Sequence, residues 1–348
     1  MQIRIAKCPG RCYKYLRPFT VRRLSGMLRN KEAILEVARY ADTLDRDTSS
    51  HWRDIGVAPT EHPLKKDPFD LVYGAEGYSM VGPIGSVSMK ISPFHRAMHA
   101  ILQIPIRRHG RAYPSFRSVD RAAASIVRRQ ARAYDKDVLR HAMTMAMLLD
   151  TLPLRDNFDP VVVIGDGFGT MASLILETLP NTTVILVNLS KTLLVDLAFL
   201  HKAFPDLGYS YVETPDEIQA SVADPTISVV AVRADFSSLL QSIPIALAIN
   251  IFSMMEMDPP VTAKYFEYLR KSPGSTRTAF YCCNRDEKRI EDGTITRFLE
   301  YPWDDGDEIL IDSQSPWDTL AYRARPPFYY RPNSVRHRLV WMNKYRWD

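Results

Sequence analysis

Residues 161–180 read VVVIGDGFGTMASLILETLP, and this stretch constrains the fold more than any other. The four consecutive β-branched residues Val161 to Ile164 suit a strand covered on both faces of a sheet. Met171, Leu174, Ile175 and Thr178 recur at helical spacing, so Gly165, Gly167 and Gly169 form the turn between strand and helix. Glycines there let the backbone bend sharply and approach a ligand, and the helix N-terminus offers free N–H groups. Beyond this unit the chain keeps alternating. Strands are expected at 183–187, 227–233, 245–251 and 277–283, and helices at 170–179, 191–203 and 259–270. Such alternation argues for an α/β fold, a Rossmann-like sheet with helices on both faces. EILI at 308–311 and RLVWM at 338–342 add edge strands.

Ahead of this core the pattern is looser. Residues 1–100 read as an N-terminal extension, helical over 30–45 and irregular over the Pro- and Gly-rich 51–95. Residues 101–157 read as a helical lead-in covering the site, with one or two helices over 118–150 and Ser118 as their N-cap. Residues 158–348 hold the core and a C-terminal substrate-binding part. A length of 348 residues with 46% hydrophobic content allows a sizeable core. No apolar run has the length of a membrane span and no signal-peptide pattern opens the chain, so a cytoplasmic protein is expected. Cys282 and Cys283 are neighbours on a strand and face opposite ways, and Cys8 and Cys12 lack a second ligand pair for zinc. Reduced thiols follow, and no metal is predicted.

Charge is uneven. Residues 1–160 carry 27 basic against 16 acidic residues, and residues 161–348 carry 18 against 24. The surplus is densest in residues 1–31, with nine basic and no acidic residue, and in residues 107–132, with eight arginines and only Asp120. Such runs suit solvated helix faces, nucleic acid, an anionic membrane or a diphosphate-bearing substrate. An Arg-rich, acid-free start also resembles an organelle transit peptide, though it is poor in Ser. Peripheral contact of residues 1–31 with the inner membrane surface is expected, and nucleic acid is not.

In a sheet of this kind ligands sit beyond the carboxyl ends of the strands. The first end carries Gly165, Asp166, Gly167 and Gly169. A dinucleotide fingerprint would need Gly or Ala where Thr170 stands, whereas G-x-G-x-G resembles the first motif of Rossmann-like S-adenosylmethionine (SAM) methyltransferases. The second end stops at Asn188, where that class usually places an acidic residue for the ribose hydroxyls. Asn188 offers an acceptor and a donor without the charge, so Asn188→Asp should leave SAM binding unchanged or tighten it. Val163 likewise stands where an acidic residue is common. At the third end Asp235 and Phe236 are placed to meet adenine, or to cap a helix and fill the core. At the fourth, Asn250 ends the strand and Ser253 and Glu256 lie on the segment before the helix. The DPP at 258–260 comes eight residues after Asn250, and Asp258 as N-cap with Pro259 in the first turn accounts for it.

NIFSMMEM at 250–257, FYCCNRDEKRIEDGTITRFLEYPWDDGDEIL at 280–310 and RHRLVWM at 336–342 resemble the sugar O-methyltransferase family, which has the SAM-type fold. The resemblance covers roughly residues 100–345. Asn250, Ser253, Glu256, Asn284, Arg285, Lys288 and Tyr301–Pro302–Trp303 match the family pattern, while Asn188 and Phe252 depart from it. It implies SAM as cofactor and methyl transfer to a hydroxyl of a sugar or glycoconjugate, free or linked to lipid or nucleotide.

Attack on a sulfonium methyl requires an alcohol oxygen held in line, water excluded and the hydroxyl proton removed. Glu256 and His141 are the candidate bases, with Asp166 third. Ser253, Asn284, Arg285 and Trp303 are candidate substrate contacts. Trp317, Phe328, Tyr329 and Tyr330 interleave with Arg323, Arg325 and Arg331, a pattern suited to sugar rings and anions as well as to core packing. Three readings compete: a nucleic-acid methyltransferase from the basic half, an NAD-dependent oxidoreductase from the glycine turn, and a non-catalytic SAM-fold protein from Val163 and Asn188.

Overall fold

The structure, a computed structural model, describes residues 28–40, 45, 48–49, 92–274 and 277–344. The basic run over residues 1–27, Cys8, Cys12 and most of the irregular 51–95 stretch lie outside the described residues. A short strand β1 (Leu28–Arg29) leads into helix α1 (Asn30–Tyr40). Helices α2 (Pro93–Leu102), α3 (Ile104–Arg107), α4 (Phe116–Arg129) and α5 (Lys136–Thr151) follow. The core runs β2 (Val161–Ile164), α6 (Thr170–Thr178), β3 (Val184–Asn188), α7 (Ser190–Ala203), β4 (Tyr209–Tyr211) and α8 (Pro215–Ala223). It continues through β5 (Val229–Arg233), β6 (Leu247–Ile251), α9 (Pro259–Lys271) and β7 (Ala279–Arg285). The C-terminal part is β: a hairpin of β8 (Glu287–Arg289) and β9 (Ile295–Arg297), then β10 (Glu308–Gln314). A second hairpin, β11 (Ala321–Tyr322) and β12 (Tyr329–Tyr330), precedes β13 (Val335–Trp341).

Nine strands form one sheet in the order β1-β4-β5-β3-β2-β6-β7-β13-β10. The six from β4 to β7 are parallel, and β13 enters antiparallel between β7 and β10. This is the expected α/β class, a Rossmann-like sheet with helices on both faces. Alternation along each strand divides the core in two. Val161 and Val163 pack with α4 to α7 on one face, and Val162 and Ile164 pack with α9 residues such as Phe266 on the other. Cys283 joins the first core and Cys282 the second, both as free buried thiols.

The helical lead-in differs in detail from expectation. It breaks into α4 and α5 at residues 130–135, with Ala131 at φ +54° and Asp135 capping α5 through the N–H groups of Asp137 and Val138. Ser118 is no cap; α4 starts at Phe116, and the Ser118 hydroxyl donates to the Ser115 carbonyl. Strand β4 and helix α8 were not anticipated. Thr214 and Glu217 form a reciprocal capping box at the start of α8.

Candidate functional site

The chain order reverses on either side of β2, whose neighbours are β3 and β6, so the glycine turn sits at a topological switch point. Gly165, Gly167 and Gly169 have φ of +73°, +84° and +59°. A side chain at Gly165 would strike the Ser253 hydroxyl at 2.2 Å, and one at Gly169 would meet the Asp196 carbonyl at 2.8 Å. Gly167 has nothing within 4 Å of where its Cβ would lie. It faces open space beyond the carboxyl end of β2. Asp166 accepts from the Met171 and Ala172 N–H groups at 2.9 and 2.8 Å. Its carboxylate is thus spent on the first turn of α6. Burial raises its pKa, with His141 and those N–H groups opposing.

At the end of β3, Asn188 Nδ2 donates to Asp196 Oδ2 at 2.8 Å and Asn188 Oδ1 accepts from the Leu189 N–H at 2.9 Å. Asp196, buried on α7, also accepts from the Gly169 N–H at 2.9 Å, tying the glycine turn to the end of β3. Burial and the neighbouring Asp166 push its pKa well above the carboxylate range. Buried Arg132 donates to Thr170 Oγ1 at 3.1 Å and lies 4.7 Å from the centre of the Phe168 ring. Asp45, from the N-terminal extension, accepts from the Ser190 N–H at 2.7 Å and the Ser190 hydroxyl at 2.5 Å. Asp196, Arg132 and Asp45 are site residues that sequence reading missed. Asp196 left a signal, since a carboxylate stands among Leu193, Leu197 and Leu200 on the buried stripe of α7. Asp45 left none, being 145 residues from Ser190.

At the end of β5, Arg233 lies over the Tyr40 ring at 3.9 Å and 5.0 Å from the centre of Phe236. Asp235 stands 3.7 Å from the same guanidinium. Phe236 thus flanks a cation and packs against the second core.

Asn250, Ser253 and Asn284 come together, but toward each other. Asn250 Nδ2 donates to the Ile164 carbonyl at 2.9 Å and to Ser253 Oγ at 2.6 Å. Its Oδ1 accepts from the Met254 N–H at 3.2 Å and from Asn284 Nδ2 at 2.9 Å. Asn284 Oδ1 accepts from the Met255 N–H at 3.2 Å. Both asparagines are fully buried, and Asn250 has no hydrogen-bonding capacity left. The expected cofactor contact of Asn250 and substrate contact of Asn284 therefore give way to another job, locking the ends of β2, β6 and β7 and the loop after β6. Phe252 opens that loop at φ +62°, a strained conformation for a non-glycine residue, with its ring 4.1 Å from the Arg140 guanidinium.

His141 is buried on α5, with Nδ1 2.8 Å from the Asp137 carbonyl. A carbonyl can only accept, so Nδ1 carries a proton, and in the neutral ring the lone pair is on Nε2. Glu256 stands 3.4 Å from Lys288 Nζ, and its carbonyl accepts from the Ser49 hydroxyl at 2.5 Å. Arg285, half-buried at the end of β7, makes no side-chain ion pair among the described residues. Its acidic neighbours are taken: Asp286 by Gln314 and Arg336, Glu287 by Arg297. Trp303 is placed elsewhere. It packs edge-on to Phe266 at 5.0 Å and donates from Nε1 to the Phe298 carbonyl at 3.0 Å, inside the second core rather than at the strand ends. Trp317 is likewise core.

Beneath Phe252 lies a buried ionic cluster. Asp318 Oδ1 accepts from Lys136 Nζ and Arg140 Nε, both at 2.8 Å, and Arg140 also pairs with Asp137. Burial alone would raise the Asp318 pKa, but Arg140 and Lys136 outweigh it and hold the carboxyl well below its usual range. Among the described residues no group of three or more His, Cys, Asp or Glu is arranged to hold a metal ion.

No family model matches the chain, and no curated protein matches it. Solved structures similar to it include the pyocyanin biosynthetic protein PhzM, at 11% identity over 59% of this chain and TM-score 0.33. Another is magnesium protoporphyrin IX methyltransferase from Synechocystis PCC 6803 with bound SAM, at 11% over 59% and TM-score 0.34. A third is the glycopeptide N-methyltransferase MtfA complexed with sinefungin, at 11% over 58% and TM-score 0.33. This chain spans 58% of the length of the first, 79% of the second and 93% of the third.

Proposed function

We propose that this chain is a SAM-dependent methyltransferase whose acceptor is a hydroxyl of a sugar or glycoconjugate. The open space over Gly167, at the switch point of the sheet, carries the reading. The turn fits the cofactor, since three glycines at positive φ leave a cradle that any side chain at 167 would enter. Residues 165–169 and the end of β3 would hold it, with Asp235 and Phe236 beside them. When bound, SAM supplies an electrophilic methyl group.

The remaining work falls to the chain's own groups. A sugar hydroxyl is a very weak acid, so a positioned base helps remove its proton. His141 serves best, because its bond to the Asp137 carbonyl leaves Nε2 as a proton acceptor. Glu256 ranks second, its charge being shared with Lys288. Arg285 offers a fork of donors to a sugar hydroxyl or a phosphate. The sugar part of the reading rests on the resemblance of NRDEK at 284–288 and YPW at 301–303.

Calorimetry with SAM, S-adenosylhomocysteine and NAD tests the reading. SAM and S-adenosylhomocysteine should bind and stabilise the fold. Gly167→Val should abolish that binding in a protein that still melts cooperatively. Stabilisation by NAD alone would overturn the proposal. His141→Gln should keep SAM affinity and slow transfer about 10²–10⁴-fold.

A further inference from the structure

The helical stretch leading into the core carries large apolar side chains on its outer side as well as on its inner one. Gln103, at φ −81° and ψ −14°, joins α2 to α3 in helical geometry. The inward side is partly polar. His99 Nδ1 and Gln103 Nε2 meet the Tyr322 hydroxyl at 2.8 and 3.0 Å, beside buried Leu102 and Ile106. On the other side Phe94, Ile101 and Ile104 are 65%, 58% and 52% exposed. At about 100° per residue these three share an arc of roughly 80°. A surface helix of a globular protein normally confines such residues to its core side and keeps the outer one polar.

Charge identifies what the face meets. From Pro93 to Val119 the sequence has five arginines and no acidic residue. Arg96, Arg108 and Arg111 are exposed and make no ion pair among the described residues. Tyr322 belongs to β11, so its bonds to His99 and Gln103 bring the β11–β12 hairpin against this helix. That hairpin lies in a second acid-free segment, Thr319 to Lys344. It exposes Phe328 and Tyr330, with Arg325 and Arg331 free of ion pairs among the described residues. Two segments far apart in sequence thus present large apolar side chains with cations only. A second copy of the same face would set arginine against arginine, and nucleic acid would leave the isoleucines without a use. An anionic lipid surface satisfies both halves, taking apolar side chains into the headgroup–acyl boundary and arginines onto phosphates.

We propose that the α2–α3 face, extended by the β11–β12 hairpin, docks this protein onto an anionic lipid bilayer. The inference goes beyond methyl transfer and is read by binding alone. The full-length protein is sedimented with phosphatidylcholine vesicles with and without phosphatidylglycerol, beside Phe94→Ser/Ile101→Ser and Arg108→Glu/Arg111→Glu. All substituted residues are exposed, so circular dichroism and melting should be unchanged. The parent should partition at least about tenfold better onto the anionic vesicles, and each double variant should lose about tenfold. The arginine variant should also lose salt dependence that the apolar variant keeps. Either variant partitioning like the parent would overturn the proposal. So would an apolar variant that binds vesicles unchanged but sediments as a smaller species, since the face would then join copies of the chain. Displacement of the parent from vesicles by an oligonucleotide that only the arginine variant fails to bind would assign it to nucleic acid instead.

Discussion

Asn188 holds a position where a carboxylate is usual, and its neighbour explains the amide. Asp196 lies 2.8 Å away, buried, and needs a donor that a second carboxylate cannot supply. Asn188→Asp would put two carboxylates in contact, so one would hold its proton with a raised pKa. A raised folded-state pKa gives stability that is present at low pH and lost as pH rises. Asn188→Asp should therefore cost about 1–3 kcal/mol at neutral pH, and the deficit should shrink as the pH falls. Melts at pH 5 and pH 7.5 check this; an equal deficit at both would separate Asn188 from Asp196. The sequence-based expectation that Asp keeps or tightens SAM binding considers only the ligand side of the residue, and the stability cost falls on its Asp196 side. Val163 is simpler, since its side chain packs in the first core, where a carboxylate would have to be buried.

Among elements, α5 depends on a contact made almost two hundred residues later in the chain. Asp318 receives Lys136 and Arg140 from the first turns of α5, and its second oxygen accepts from Ser315 Oγ at 2.8 Å. This fixes the end of α5 that carries Arg140 under Phe252 and His141 within electrostatic reach of Asp166. Asp318→Asn would leave two cations with one partner, Asp137, and should cost about 3–5 kcal/mol by denaturant titration. A loss below about 1 kcal/mol would mean that water reaches the cluster. Nothing in the sequence around Asp318 announces this role. The parallel strands were legible because both their faces are buried, which writes runs such as VVVI and LAINI into the chain. Strand β4 and helix α8 were not, although Thr214 and Glu217 spell a capping box. The site divides in the same way: the glycine turn is a local backbone signal, whereas Asn250 and Asn284 look like ligand contacts until their partners are seen.

Over the whole molecule, two histidines fasten outlying parts to the core, and both are held neutral. His99 joins α2 to the β11–β12 hairpin, and His337 on β13 meets Ser313 Oγ at 3.0 Å and the Tyr281 hydroxyl at 3.3 Å. Burial depresses each pKa from 6.5 to about 4, for His99 with help from His95. A histidine with a lowered folded-state pKa leaves the unfolded chain binding more protons between those values. Its stabilisation is complete above about pH 6.5 and is lost as the pH falls toward 4, by roughly 3 kcal/mol for each residue. Asp196, pushed upward by burial, runs the other way, and Asp318, held low, titrates beneath this window. The contribution of one histidine is therefore read as a difference between proteins. In His99→Gln an amide can still bond the Tyr322 hydroxyl without taking a proton. The parent should lose more melting temperature from pH 7 to pH 4.5 than this variant does, and the two curves should converge toward the acid end. Parallel curves would mean that His99 takes up its proton in the folded protein as readily as in the unfolded chain.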